Sequence, residues 1–142
     1  MTESIGSFRA VDTYVHLGPN GAAVPLTVTS TFWEELGSGA FSDLGPGRLV
    51  STYDFAEDWS SWERHPGGEE VVVLIAGAME LLLAIGDGEK ALVMSEPGQV
   101  AIVPRGTWHT ANVDERAVAL FITEGEGTEH RPRNEARPQS RG

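Results

Sequence analysis

Cysteine is absent from this chain of 142 residues. Its absence excludes disulfide bonds, thiolate metal sites and cysteine nucleophiles. No window reaches the ~18 consecutive apolar residues that a membrane-spanning helix needs, and the first residues lack the basic and apolar regions of a secretory signal. We therefore expect a protein of the cytoplasm that does not insert into a membrane.

Basic residues are scarce, with 10 Lys and Arg against 21 Asp and Glu and a formal net charge of −11. Residues 1–127 hold 19 of the acidic and 6 of the basic side chains. Such an acidic body repels nucleic acid and anionic membranes. The other four basic residues, all arginines, lie in residues 128–142. This segment is expected to be a polar tail outside the domain, disordered beyond about Arg133.

Helical patterns are nearly absent as well. The exception is a short segment near residues 31–36, which Ser30 or Thr31 can cap. Glu34 stands three residues after Thr31, as in a capping box, and Gly37 is expected to end the helix. The sequence thus predicts at most one short helix.

Glycine and proline, in contrast, are frequent: 17 and 8 residues, most of them between short apolar runs rich in β-branched side chains. Hairpin signals such as Gly86-Asp87-Gly88 separate these runs. About nine or ten strands at short, regular spacing favour an all-β barrel or sandwich. The length suits a single domain, which we place at residues 1–127.

Two stretches with a histidine beside a tight turn carry the chemistry. In the first, residues 63–77, His65 is followed after four residues by Glu70 and after six more by Gly77. In the second, residues 98–112, Gly98 is followed after five residues by Pro104, then by Gly106 and His109. A barrel that brings the two histidine turns together at one end would form a pocket there.

These two stretches resemble the signature motifs of the cupin superfamily, whose members are small jelly-roll β-barrels, and the resemblance covers about residues 48–123. It implies that the side chains in the motif positions point into the barrel, where they commonly bind one divalent metal ion. The implied ligands are Glu63, His65, Glu70 and His109, with Glu63 where the family has its first histidine. Asn112 comes one residue earlier than the asparagine of the family motif.

The mixed nitrogen and oxygen donors suit Fe(II), Mn(II), Ni(II) or Zn(II), so the identity of the metal stays open. Glu63 lies two residues from His65 and shares its face on an extended segment, yet it can also be an ordinary exposed glutamate. Glu70 is implied to be buried, and its charge is costly there without a metal ion or a protonated histidine. Glu70 is also the candidate catalytic proton acceptor.

Inward positions on the same strands are expected to form the walls of a substrate pocket. These candidates are Tyr53, Trp62, Val72, Leu74, Met79, Leu81 and Ala111. Four further residues keep two interpretations each. Trp108 packs on a neighbouring segment or a second subunit, Arg64 and Arg105 serve the surface or meet an anionic substrate, and His130 reaches the pocket or a dimer partner.

Two functions follow from this pattern. The first is a metal-dependent enzyme of dioxygenase, isomerase or lyase type that acts on a small polar metabolite. The second is a non-catalytic domain that binds or senses a small molecule without a metal. The resemblance and the exposed edge strands of a partly open barrel also predict a homodimer.

Overall fold

The computed structural model describes residues 6–133, which form eleven β-strands and one α-helix. The strands are β1 (Thr13–Leu17), β2 (Ala23–Thr27), β3 (Arg48–Phe55), β4 (Ser61–Arg64), β5 (Glu70–Gly77), β6 (Met79–Ile85), β7 (Gly88–Met94), β8 (Val100–Val103), β9 (His109–Asn112), β10 (Ala117–Thr123) and β11 (Glu129–Pro132). The helix is α1 (Phe32–Gly37), and 3-10 turns lie at Pro19–Gly21 and Ser42–Leu44.

The strands form two antiparallel sheets that face each other across one core. The first sheet has the order β2-β1-β3-β10-β5-β8, and the second has the order β11-β4-β9-β6-β7. This arrangement confirms the prediction of an all-β, jelly-roll barrel with one short helix. Strand β11 is the addition, because it pairs with β4 along residues 129–132 and so extends the second sheet past residue 127. The disorder expected beyond Arg133 concerns residues outside those that the structure describes.

The helix forms where the sequence predicts it, but its start is built differently. No side chain caps its N-terminus. The Thr31 hydroxyl instead donates a hydrogen bond to Oε2 of Glu35, 2.5 Å away, so Glu34 does not complete a capping box. Burial of Phe32, 1% exposed, fixes this six-residue helix against the barrel. Packing must stabilise so short a helix, because it is too short to be stable by itself.

Strict alternation along the strands separates the core from the outer faces. On β5, Val72 and Leu74 are fully buried, whereas Val71 and Val73 between them are only partly buried. The inward residues of β5, β6, β9 and β10 make up most of the main core between the sheets. A second, smaller cluster unites Trp62, Trp108 and Ala84 on the opposite face of the second sheet. No helix within residues 6–133 is long and apolar enough to cross a membrane.

Candidate metal centre

Three strands from both sheets bring four candidate ligands together. Glu63 lies on β4 and His109 begins β9, and these two residues are direct cross-strand partners. His65 immediately follows β4, and Glu70 begins β5 in the first sheet. The centre therefore lies between the two sheets, at the strand ends where the two histidine turns meet.

The donor atoms of these residues surround a common point. Nε2 of His65 lies 3.2 Å from Oε2 of Glu70, and Nε2 of His109 lies 3.1 Å from its Oε1. Both Nε2 atoms lie 3.5 Å from Oε1 of Glu63. One ligand atom from each residue fits within a set whose members are no more than 4.8 Å apart. Neighbouring ligands of one ion are separated by about 3.0–3.5 Å when each bond is about 2.0–2.2 Å long.

Hydrogen bonds at the far ring nitrogens fix the tautomers of both histidines. Nδ1 of His109 lies 3.0 Å from the carbonyl oxygen of Thr107, which can only accept, so Nδ1 carries the proton. Nδ1 of His65 lies 2.8 Å from the Thr128 hydroxyl, and that hydroxyl donates its own proton to the carbonyl of Gly125. The hydroxyl must therefore accept from His65. When the imidazoles are neutral, each thus presents the lone pair of Nε2 to the centre.

The two carboxylates are also held in place. The Thr123 hydroxyl donates to Oε2 of Glu70 at 2.6 Å. Oε2 of Glu63 lies 3.2 Å from Nε2 of His130, its cross-strand neighbour on β11. His130 is 59% exposed and Glu63 is 21% exposed, so this side of the centre faces solvent.

The burial of the centre tests whether the residues fit a metal ion. His65, Glu70 and His109 are 6%, 3% and 0% exposed. Within residues 6–133, Nε2 of both histidines and Oε1 of Glu70 make no well-formed hydrogen bond, although they lie at ion-pair distance from one another. Buried polar atoms are seldom left without a partner. A divalent ion at the common point would satisfy all three atoms, so the donor set fits such an ion.

Charge within the cluster shifts the pKa of each member. Burial disfavours the imidazolium forms, but the close carboxylates of Glu63 and Glu70 outweigh it and raise the pKa of His65 to about 9 and that of His109 to about 10. Burial likewise disfavours the carboxylates, but the two histidines outweigh it, lowering the pKa of Glu70 to about 2 and that of Glu63 far below its usual range. In the metal-free protein the cluster is thus two imidazoliums paired with two carboxylates.

A cavity of about 1200 Å³ opens onto this centre, and Glu63, His65 and Glu70 form part of its wall. Among the expected wall residues, Tyr53 lines this cavity. Val72, Leu74, Met79, Leu81 and Ala111 lie instead in the closed core. Alternation predicts the inward face correctly, but it does not show at which depth side chains fill the barrel.

Trp62 is placed on the other face, because its neighbours Ser61 and Glu63 take the cavity side of β4. Its partner there is Trp108, so Trp108 packs within its own chain. The guanidinium of Arg64 lies 5.1 Å from the centre of the Trp108 ring and forms an ion pair with Glu129 at 2.9 Å. Arg105 is exposed and does not line the cavity. Asn112 donates to Oε1 of Glu80 rather than facing the centre.

Sequence reasoning missed the residues that orient the ligands. Thr123 and Thr128 carry no motif signal, because threonine is common in strands and turns. For His130 the sequence left open the pocket or a dimer partner, and in the structure its Nε2 lies beside Glu63. Strand β11, which contains it, is polar and lacks the apolar alternation that marks a strand.

Solved structures with the same architecture include the oxalate decarboxylase of Bacillus subtilis, with a TM-score of 0.51 and 20% identity over 68% of this chain and 26% of that one. A vicilin from Solanum melongena has a TM-score of 0.50 and 15% identity over 60% and 24% of the two chains. A cupin-2 domain protein from Shewanella frigidimarina has a TM-score of 0.45 and 17% identity over 54% and 70%. No family model and no curated protein matches the chain.

At these identities the likeness concerns the fold. The decarboxylase is a member of the cupin superfamily. The two sheets observed here have the jelly-roll arrangement that the resemblance implies. This protein therefore has the cupin fold.

Proposed function

We propose that this protein binds one divalent metal ion through Glu63, His65, Glu70 and His109 and acts as a metal-dependent enzyme on a small molecule in the adjoining cavity. The supporting observation is the convergence of two buried Nε2 atoms and two carboxylates on one point, with the far nitrogen of each imidazole already bonded. A structural histidine pair would not require this orientation.

Iron, manganese, nickel and zinc all accept such a donor set. A bound divalent ion would supply Lewis-acid or redox chemistry suited to a dioxygenase, an isomerase or a lyase. The protein's own residues hold the ligand lone pairs in place and exclude water from one side of the centre. Glu70 is one of the ligands of this centre and also the candidate proton acceptor.

A second candidate is a small-molecule binding domain that uses no metal. One observation favours it: two imidazoliums and two carboxylates neutralise one another, so the buried cluster is electrostatically stable without an ion. In that case the cavity would hold the ligand and the cluster would form its polar end.

Elemental analysis of the untagged protein separates the two candidates. We expect up to one equivalent of iron, manganese, nickel or zinc in the parent, and its loss in His65→Ala and His109→Ala. His16→Ala and Glu69→Ala are matched controls, since both residues lie outside the cluster, and both should keep the metal.

Metal addition should also raise the melting temperature of the metal-free parent. An ion that binds only the native state stabilises it by about 2.7 kcal/mol at 100 times its Kd. A parent that neither retains a metal nor gains stability from any of the four ions would leave the metal-free binding domain as the better account. The homodimer and the cytoplasmic location remain predictions.

A further inference from the structure

The cavity wall is rich in acidic side chains. Within residues 6–133 the residues lining it include six carboxylates and no lysine or arginine. Four of the six lie away from the metal centre, at Glu57, Asp58, Glu124 and Glu126, and are exposed or partly exposed. An entering anion would meet these carboxylates and neither a lysine nor an arginine, and the cationic His65 is already paired with Glu63 and Glu70.

Two arginines at the end of the described residues are engaged elsewhere. Arg133 donates from Nη1 to the carbonyl oxygens of Trp59 and Ala111, both at 3.2 Å. The guanidinium of Arg131 lies 5.5 Å from the centre of the Trp108 ring, which belongs to the cluster on the other face of the second sheet. Neither arginine lines the cavity.

The metal centre adds no net positive charge either. Two carboxylates and two neutral imidazoles carry a charge of −2, which a divalent ion offsets. A centre with three imidazoles and one carboxylate would keep a charge of +1 and attract an anion. Replacement of the first motif histidine by Glu63 removes that attraction.

Aromatic side chains form a continuous row in another part of the cavity wall. Trp33, 50% exposed, stacks on Tyr53 at 6.3 Å between ring centres, and Tyr53 stacks on Phe55 at 5.7 Å. Phe55 then contacts Trp59 at 5.5 Å, and Trp59 lies 6.2 Å from the ring of His109. The row runs from a half-exposed tryptophan to the metal ligands, and all four members line the cavity. Aromatic faces attract other rings and cations.

We propose that the cavity binds an aromatic molecule that carries no negative charge, either neutral or cationic, and that it discriminates against aromatic acids. This inference rests on the proposed function, since it assigns a substrate class to the same site. Three probes with one ring system test it: 2-naphthylmethanol, 2-naphthylmethylamine and 2-naphthoate. They differ mainly in charge, and the cavity is large enough for a fused pair of rings.

Calorimetric titration of the metal-free and the metal-loaded parent should give the same ranking. The amine and the alcohol should bind, and naphthoate should bind at least about tenfold more weakly than both because of the carboxylates in the wall. Tighter binding of the amine than of the alcohol would identify a cationic ligand, and equal binding a neutral one. Naphthoate binding as tightly as the alcohol, or no binding of any probe, would overturn the proposal.

Two pairs of variants attribute the ranking to the wall. The double variant Glu124→Gln/Glu126→Gln should reduce the discrimination against naphthoate. Glu96→Gln/Glu115→Gln removes the same charge from exposed residues outside the cavity and should not. Trp33→Ala should weaken the binding of all three probes, whereas Phe8→Ala, which removes another half-exposed ring outside the cavity, should leave it unchanged. If the variant and its control behave alike in either pair, the assignment to the wall is wrong.

The outcome is separable from that of the proposed function. A parent that binds no metal but ranks the three probes as expected refutes the metal centre and keeps the ligand class. A parent that binds a metal through the two histidines but prefers naphthoate does the opposite.

Discussion

Thr128 lines the cavity and fixes the orientation of His65, one of the candidate metal ligands. Its hydroxyl accepts the Nδ1 proton of His65 and donates to the carbonyl of Gly125, so the ring cannot present Nδ1 to the centre. The partners behind metal-binding histidines typically contribute about 10–100-fold to metal affinity. Thr128 is thus a positioning residue for His65.

Replacement of this hydroxyl should weaken metal binding. We expect Thr128→Val to reduce the affinity about 10–100-fold, because the buried Nδ1–H loses its acceptor. Thr128→Ser keeps the hydroxyl and should behave like the parent. Titration against a chelator measures both affinities, and equal losses in the two variants would point to packing rather than to the hydrogen bond.

The cluster should also give the metal-free protein a distinct pH dependence. The pKa of Glu70 falls from 4.5 to about 2, so its contribution to stability is complete above pH 4.5 and is lost as the pH falls toward 2. The pKa of His65 rises from 6.5 to about 9 and that of His109 from 6.5 to about 10. Their contributions are complete below pH 6.5 and are lost as the pH rises through 9 and 10.

Urea unfolding in the presence of a chelator should therefore show the highest stability between about pH 4.5 and 6.5. The decline toward pH 10 should disappear in the His65→Ala/His109→Ala double variant and persist in Glu69→Ala. A parent whose free energy of unfolding stays constant up to pH 10 would show that the imidazoles are not paired with the carboxylates.

The sequence predicts the candidate ligands themselves, but not the residues that hold them in position. His65, Glu70 and His109 stand at motif spacings, which indicated that they share the interior of the barrel. The sequence left open whether Glu63 is a ligand or an ordinary exposed glutamate. In the structure its carboxylate lies 3.5 Å from both Nε2 atoms. The orienting threonines act through single hydrogen bonds between residues distant in sequence, and no local pattern encodes such contacts.

Among the elements, strand β11 shows the limit of pattern-based prediction. It is short and fully exposed, so it has no buried face to impose an apolar alternation. Its registration with β4 nevertheless places His130 opposite Glu63 and Arg131 opposite Trp62. The strands with buried faces, such as β5 and β6, consist mainly of apolar residues, and such runs indicate a strand in the sequence.

Gly77, the last residue of the first motif, determines how closely two strands approach each other. It ends β5 with φ of +75°, and a Cβ atom there would overlap the carbonyl oxygen of Arg116, just before β10. That oxygen also accepts from the N–H of Ala78, so it cannot easily move away. Gly77 therefore allows the close approach of β5 and β10 at one end of the first sheet.

Gly77→Ala should destabilise the protein by more than its backbone conformation alone explains. Gly21 has the same φ of +75° with open space around it, so Gly21→Ala should cost only about 1–2 kcal/mol. The overlap at Gly77 should add about 1–3 kcal/mol. Chemical denaturation of the two variants compares them directly, and similar losses would mean that the contact with Arg116 relaxes without cost.

On the scale of the whole molecule, the outer face of the first sheet is unusually apolar. Ile75 on β5 and Val100 and Ile102 on β8 are 47%, 55% and 57% exposed. Val71 and Val73 lie directly beside the two β8 residues and extend the same face. A monomeric protein seldom exposes so continuous an apolar patch, and contact with a second copy would remove it from water.

We expect a homodimer that buries this face. Ile102→Lys should convert it to a monomer, because each copy would place an unpaired charge in an apolar interface. Val93→Lys changes an exposed valine on β7 of the other sheet, 62% exposed, and should leave the dimer intact. Light scattering after gel filtration measures both masses. A parent that is monomeric at micromolar concentration would end this proposal.

An anomalous difference map from crystals grown with one of the candidate metals would show directly whether the proposed centre holds an ion. We expect a single strong peak about 2.0–2.3 Å from Nε2 of both His65 and His109 and from carboxylate oxygens of Glu70 and Glu63. A map without a peak between these residues, or with the metal bound only at the surface, would contradict it.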